Sequence, residues 1–354
     1  MNRSDSWLYT DSPRWYARLE ALSQIGQLQQ KIMRRKLPGF LVQLGLLCTI
    51  PAAFLGGCIA VPVGRIRAGM ERRSGKGLAI VAIAKNEAES ILEWALFHQI
   101  AGVDRIILYD NESTDGMKER LQPLIDSGFV QYRTISGQRQ QHNAYNDALR
   151  RDGDQYEFIA FIDCDEYLMP VQEGADIKEI LRNCMKADPN IGGIAVNWCM
   201  YGSSGYLTAP QGLTTECFLY RAVTEGGQGN DCVKTIVRPS RVKKYNHSHY
   251  PRYKFGFYSA ACDGHPVKDA YHPVKEYTLL RINHYFTKSL EQWKARRALG
   301  KADDEGKRSL EEFYQHDRQQ IRDEIGARYT DEIKHSMAEL KQESIHHSGR
   351  NRQE

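Results

Sequence analysis

The sequence predicts an α/β domain organised around a mostly parallel, doubly wound sheet. Two observations carry that expectation. Strand-like apolar runs alternate with helix-like stretches in the order βαβαβαβ over residues 78–164, the order that crossovers between parallel strands require. Polar and acidic residues stand directly after those runs, at Lys85-Asn86-Glu87, Asp110-Asn111 and Asp163-Cys164-Asp165. Open α/β sheets bind ligands in the crevice at the carboxyl ends of their strands.

The elements follow in order. LAIVAIAK at residues 78–85 is a continuous apolar run, as a strand covered on both faces should be. Residues 87–101 read as a helix and RIILYD at 105–110 as a second buried strand. A helix at 115–126, a strand at 129–135, a helix at 140–151 and a fourth strand, FIAFIDC at 158–164, complete the alternation. A helix at 176–187 is expected next, then strands at 193–201, 216–221, 232–238 and 277–286. The stretches 201–212 and 225–229 read as loops that cover a site. Residues 301–354 carry ten Lys/Arg and thirteen Asp/Glu with few apolar positions. They read as a solvated helix or tail rather than a second core.

Composition removes several classes. Of 354 residues, 41% are hydrophobic and 26% charged, which allows a packed core and excludes whole-chain disorder. A mean hydropathy of −0.56 excludes a polytopic membrane protein. The net charge of +4 is too small to argue for nucleic acid. None of the eight cysteines forms a CxxC pair, so a zinc ribbon is excluded and a reducing compartment is expected.

Residues 1–36 are polar, with seven Lys/Arg against three Asp/Glu. Apolar residues at helical spacing predict a helix over 17–33. The basic residues and aromatics there suit either a membrane surface or a solvated tail. Residues 37–64 carry no charge. About 20 apolar residues cross a bilayer, so this stretch reads as a single span, as a re-entrant hairpin bent at Pro51, or as a buried soluble element. Basic residues flank it on both sides, which leaves its orientation open.

The sharpest chemical feature is Asp163-Cys164-Asp165-Glu166, directly after the fourth strand. Two carboxylates one residue apart at a strand end suit a hard divalent cation, Mn²⁺ or Mg²⁺, that bridges a diphosphate. A helix cap or acidic loop is the structural alternative. Asp110 to Asp115 likewise reads both as a helix cap and as a contact to a nucleoside.

These motifs, together with Glu93-Trp94, His98, Gln141, Ala144-Tyr145, Asn197-Trp198, Tyr201-Gly202-Ser203, Lys234, Val237-Arg238-Pro239, His247, His249 and Asn283-His284-Tyr285, resemble the glycosyltransferase family 92 domain over about residues 78–300. Family 92 is related to bacterial family 2-like glycosyltransferases. One departure is Tyr167, where the family carries Phe. The resemblance implies a GT-A fold, a UDP-sugar donor (often UDP-galactose), a divalent cation and inversion at the anomeric carbon. On that footing Lys85, Asn86, Glu87, Asp110 and Asn111 are expected at the nucleoside, Asp163 at ribose or metal, and Asp165 as the main metal ligand. His284 is the first candidate for a further ligand and His249 the second. Lys234, Arg238 and Lys288 are expected to neutralise phosphates.

An inverting transfer also needs a general base for the acceptor hydroxyl. Glu216 is the first candidate, with Asp231 and Asp263 as rivals. Trp198, Tyr201 and Tyr206 are candidates for stacking on a sugar. The expected organisation is a polar segment (1–36), a hydrophobic span or hairpin (37–64), a GT-A domain (77–300) and a charged tail (301–354). The expected function is metal-dependent transfer of a hexose to a glycan or glycolipid at a membrane, with no nucleic-acid partner. The domain is expected on the cytoplasmic face of a bacterial inner membrane, because activated sugars are made in the cytosol. The alternatives are a nucleotidyltransferase, which would need a glycine-rich phosphate loop after the first strand, and a non-catalytic glycan-binding or scaffold protein.

Overall fold

A computed structural model of the chain describes residues 14–23, 39–71, 75–274, 276–299 and 309–350. Helices α1 (Arg14–Ser23) and α2 (Gly39–Met70) precede the domain. The expected helix over 17–33 is seen as far as Ser23, and residues 24–33 lie outside the described residues. The domain then runs β1 (Leu78–Ala84), α3 (Ile91–Ile100), β2 (Arg105–Asp110), α4 (Met117–Asp126), β3 (Val130–Thr134), α5 (Gln141–Asp152), β4 (Phe158–Phe161), β5 (Glu166–Pro170), α6 (Ile177–Lys186) and β6 (Ile191–Met200). Next come α7 (Thr214–Cys217), β7 (Tyr220–Arg221), β8 (Val233–Val237), β9 (Val242–Tyr245), β10 (Pro251–Tyr253), β11 (Tyr258–Ala261), β12 (Pro266–Val267) and β13 (Leu280–His284). The chain closes with α8 (Leu290–Leu299), α9 (Leu310–His316), β14 (Ile321–Arg322) and α10 (Thr330–Arg350).

The main sheet has the order β12-β11-β6-β8-β4-β1-β2-β3, and β4, β1, β2 and β3 are parallel neighbours. β8 runs antiparallel between β4 and β6. β13 pairs parallel with β6 and antiparallel with β5. The sheet is therefore mixed, with a parallel half that matches the sequence expectation. Alternation along β1 divides its side chains between two faces. Leu78, Ile80, Ala82 and Ala84 meet Trp94, Phe97, Leu121 and Leu181. Ala79, Val81 and Ile83 meet Ala144, Tyr145 and Ala148 of α5. Both faces are covered, which is why β1 reads as an unbroken apolar run. Each large aliphatic side chain buried this way contributes about 1.5–3 kcal/mol.

Three expectations are corrected. The strand expected at 216–221 is the short helix α7 followed by the two residues of β7. Strands β5, β9, β10, β11, β12 and β14 were not expected. The segment expected as a solvated tail is partly packed: Phe313 and Ile333 are buried, and Asp323 accepts from Arg281 and Arg221. Tyr329, Ile333, Met337 and Leu340 supply a thin stripe at helical spacing that packs on the main core.

α2 is one helix that continues through Pro51 and Pro62, not two legs bent at Pro51. Its stretch Cys48–Met70 is long and apolar enough to cross a membrane. Phe54, Leu55, Ile59 and Ile66 on it are exposed. Its last turns are tied to the domain. Asn190 Nδ2 donates to the Val61 carbonyl at 3.0 Å, and Arg241 forks onto Glu71 of the following residues with Nη2 at 2.8 Å.

His98 fastens α3 to the strand after the acidic motif. Its Nδ1 meets the Trp94 carbonyl at 2.8 Å, and its Nε2 accepts the Leu168 N–H at 3.1 Å. That pairing assigns the neutral, Nδ1-protonated ring. Burial pushes its pKa down to about 3, against the favourable bond to Trp94. The unfolded chain takes up a proton near pH 6.5 and the folded one does not, so stability falls as pH falls from 6.5 towards 3. The expected slope from this residue is about 1.4 kcal/mol per pH unit. Denaturant unfolding of wild type and His98→Gln at pH 7, 6 and 5 checks it. An unchanged slope in the variant would contradict the assignment.

Candidate functional site

The parallel strands β1, β2 and β4 deliver their carboxyl ends to one edge of the sheet. The loops after β1 and β2 interlock there. The Asn86 N–H donates to Ser113 Oγ, and Asn86 Oδ1 accepts the Thr114 N–H at 2.8 Å. Asp110 Oδ1 accepts the Ser113 N–H, and Asp115 Oδ2 accepts the Ala88 N–H. Asn86 holds φ at 56° and Glu112 at 63°, a left-handed backbone that Asn tolerates better than most residues. The Asn111 amide donates to the carbonyls of Ile135 and Gly137, which joins the loop after β3 to the same edge. Lys85 is exposed and Glu87 half-buried beside these loops.

Asp163 and Asp165 follow β4 and take different partners. Asp163 Oδ2 accepts from Lys234 Nζ of β8 at 2.8 Å, and its Oδ1 accepts from Gln141 Nε2 of α5 at 2.7 Å. Lys234 is fully buried and also lies 3.5 Å from Glu166 Oε1. Burial alone would lower the Lys234 pKa, but the Asp163 and Glu166 carboxylates outweigh it and raise the pKa well above the usual lysine range. Glu166, equally buried and farther from the ammonium, has its carboxyl pushed well up by burial. Its Oε2 accepts the Asp163 N–H, which sets the turn between the two aspartates.

Asp165 Oδ2 accepts from Arg296 Nη2 of α8 at 2.7 Å and lies 3.5 Å from His284 Nε2 at the end of β13. The His284 ring packs tilted against Trp198, centroids 4.2 Å apart, and His249 meets Trp198 edge-on at 4.8 Å. His249 bonds the Val233 carbonyl through Nδ1, and burial together with the Lys234 charge lowers its pKa well below the usual value. Lys288, at φ 48°, donates to Ser90 Oγ just after the β1 loop.

A carboxylate oxygen and an imidazole nitrogen suit a divalent cation of the Mn²⁺ type. His284 Nδ1 is buried without a hydrogen-bond partner among the described residues. Among the described residues no group of three His, Cys, Asp or Glu side chains converges to hold a metal ion. Asp165 and His284 are the two side chains here that could hold such an ion, 3.5 Å apart.

The structure brings Lys85, Asn86, Glu87, Asp110, Asn111, Asp163, Asp165, Lys234, His249, His284 and Lys288 to this end of the sheet. It does not place Arg238 there. That guanidinium lies 3.4 Å from Glu157, which precedes β4, and so sits at the opposite end of the strand from Asp163. Lys234 is directed into the acidic motif and is fully buried, so its charge acts on Asp163 rather than on an incoming phosphate. Glu216 is half-buried on α7, ion-paired with Lys334 of α10 at 2.7 Å, and that bond lowers its pKa. Asp263 lies in the turn after β11, three strands from β4, where it accepts from His265. Asp231 is exposed immediately before β8, and the neighbouring Cys232 carbonyl accepts the Trp198 N–H. Tyr201 is buried and hydrogen-bonded to Arg281, which removes it as a stacking platform; Tyr206 is exposed.

Sequence reasoning missed the roles of Gln141, Tyr145, Glu166 and Arg296. Gln141 and Tyr145 share one face of α5 at i, i+4 spacing, a signal that was present. Arg296 carried none, because it lies in a run of charges that looks like the start of a tail.

The fold and this edge define an α/β protein with paired carboxylates at the carboxyl ends of its parallel strands. The glycosyltransferase family 92 pattern matches residues 79–335, and the chain belongs to that family. Relatives include a family 92 protein of rice (Oryza sativa subsp. japonica), 29% identical over 48% of this chain and 28% of the relative. One from Ricinus communis is 26% identical over 64% of this chain and 38% of the relative. The chain thus spans well under half the length of these relatives. Among solved structures, S. aureus TarS 1–349 in complex with UDP overlaps 46% of this chain at 14% identity and 47% of its own, with a TM-score of 0.31. Glucosyl-3-phosphoglycerate synthase of Mycobacterium tuberculosis in complex with Mn²⁺ and UDP-glucose overlaps 35% of this chain and 44% of its own at 22% identity, with a TM-score of 0.24. These are partial overlaps.

Proposed function

We propose that this chain transfers a hexose, galactose first, from a UDP-sugar to a hydroxyl of a glycan or glycolipid, with inversion at the anomeric carbon. The observation that carries the reading is the Asp163–Asp165 pair at the end of β4, set beside the interlocked loops after β1 and β2, in a chain of family 92. Those loops hold the nucleoside, with Asp110 and Glu87 as acceptors for base or ribose donors. Asp165 and His284 would hold a divalent cation, which would supply positive charge to the departing diphosphate. Lys288 adds a further cation at the same edge.

Asp231 is the base in this reading. It is exposed three residues before Lys234, at the end of the sheet where Trp198 and His284 lie. It takes the proton from the acceptor hydroxyl as that oxygen attacks the sugar. α2 supports attachment to a membrane, with its exposed Phe54, Leu55 and Ile59 in lipid and its last turns held by the domain.

Calorimetry across a panel of nucleotide sugars, with and without Mn²⁺, tests the reading. Metal-dependent binding of one UDP-sugar is expected, and a folded protein that binds no nucleotide would end it. Asp231→Asn is expected to bind that donor as wild type does yet transfer about 10²–10⁴-fold more slowly. Wild-type turnover in this variant would remove Asp231 as the base.

A further inference from the structure

Three basic side chains meet the acidic motif, and one of them is poorly placed for a permanent role. Lys234 is buried in the sheet, with no path to leave Asp163. His284 is fixed by its strand and by Trp198. Arg296 is different. It reaches Asp165 from α8, its side chain is about a fifth exposed, and its second anchor is a single bond from Nη1 to the Phe286 carbonyl at 3.2 Å. Burial would lower its pKa, but Asp165 and Glu87 raise it, so the guanidinium is charged.

α8 itself is laid across the site. The Leu290 and Glu291 N–H groups donate to the carbonyls of Tyr206 and Leu207, and Glu291 Oε2 accepts the Ala209 N–H. Gln292 donates to Glu89, just past the β1 loop. Trp293 is fully buried and anchors the helix. One helix thus joins the loop after β6, the loop after β1 and the acidic motif, and presents Arg296 between them.

Asp165 Oδ2 is the atom nearest both His284 Nε2 and Arg296 Nη2. A guanidinium bonded there and a hard cation bound at about 2.0–2.1 Å would put two positive charges on one carboxylate oxygen. They compete for that oxygen, and the competition is relieved when the guanidinium has another anion to go to. A diphosphate is such an anion, and its geometry suits the Arg fork better than a single carboxylate oxygen does.

We propose that Arg296 is an exchangeable latch. In the donor-free chain it occupies Asp165, and on arrival of a nucleoside diphosphate it moves to the phosphates and leaves Asp165 to the cation. Cation and nucleotide then bind cooperatively, because each vacates or fills the place the other needs. No covalent step is involved. The inference rests on the proposed donor class, and it assigns Arg296 a binding role.

The test is Mn²⁺ binding followed by electron paramagnetic resonance, and UDP binding by calorimetry, on the full chain and Arg296→Gln. In wild type, Mn²⁺ alone binds weakly, and saturating UDP tightens it at least tenfold. In Arg296→Gln, Mn²⁺ alone binds about tenfold tighter, UDP in the presence of Mn²⁺ binds about tenfold weaker, and the cooperativity disappears. Arg296→Lys, which keeps the charge and loses the fork, falls between the two and serves if the Gln variant does not fold. Equal Mn²⁺ and UDP affinities in wild type and variant overturn the latch. So does weaker Mn²⁺ binding in Arg296→Gln, which would make Arg296 a prop for Asp165, and so does an absence of Mn²⁺ binding to either protein. Tighter Mn²⁺ binding in the variant with no UDP binding to either protein sustains the latch on Asp165 and ends the donor reading instead.

Discussion

Asp165→Asn is expected to lower kcat/KM by about 10³-fold or more, equivalent to about 4 kcal/mol of transition-state stabilisation. The change is small in volume and leaves an amide that Arg296 Nη2 can still reach, so the fold should survive. What is removed is the negative charge that sits 3.5 Å from His284 and 2.7 Å from Arg296. Without it the site has neither a strong oxygen ligand for a cation nor a counter-ion for the guanidinium. The loss should not be reversed by raising Mn²⁺, because the ligand and not the ion is missing. Transfer assays with near-ultraviolet circular dichroism as the fold control check it. A well-folded variant within tenfold of wild type would remove Asp165 from the mechanism.

Lys234→Met should cost about 3–5 kcal/mol of folding stability, because truncating one partner of a buried ion pair strands the other. Here the fully buried Glu166, 3.5 Å away, is stranded and the partly exposed Asp163 loses its 2.8 Å partner, and Lys234 has no exposed surface through which water could replace it. The midpoint of thermal unfolding should drop by roughly 10 °C. The variant should recover stability as pH falls from 8 towards 5. Glu166, already pushed up by burial, loses the cation that held its pKa down, so the folded state binds the extra proton at that carboxyl and the stabilisation is lost again as pH rises. Adding Glu166→Gln should restore part of the loss, since the amide needs no counter-charge. Urea unfolding of the single and double variants measures all three effects. A loss under 1 kcal/mol would mean the lysine is not the counter-ion of the motif.

The parallel half of the sheet and the position of the acidic motif were legible in the sequence because both are local. Burial on two faces makes β1, β2 and β4 apolar without interruption, and a strand that ends in the crevice must turn polar at that point. The family motifs lie on those same strand ends, so Lys85, Asp110, Asp163 and Asp165 could be read off directly. Short strands such as β7 and β12, two residues each, have no period to detect. The packed C-terminal stripe from Tyr329 to Leu340 was masked by the charges between its members.

What only the tertiary structure decided is which charge answers which. Lys234 lies 71 residues from Asp163, and Arg296 lies 131 from Asp165. No periodicity links such positions. The sequence by itself determined that carboxylates would stand at the end of β4, and that the chain held enough basic residues to meet them. It also placed Arg238 and Lys234 four residues apart on one expected strand. The antiparallel insertion of β8 sends their side chains to opposite ends of β4, Lys234 to the acidic motif and Arg238 to Glu157. Strand direction is a property of the assembled sheet, set by which neighbours complete its hydrogen bonds, and it decided which of the two cations stands at the site and which at the far edge.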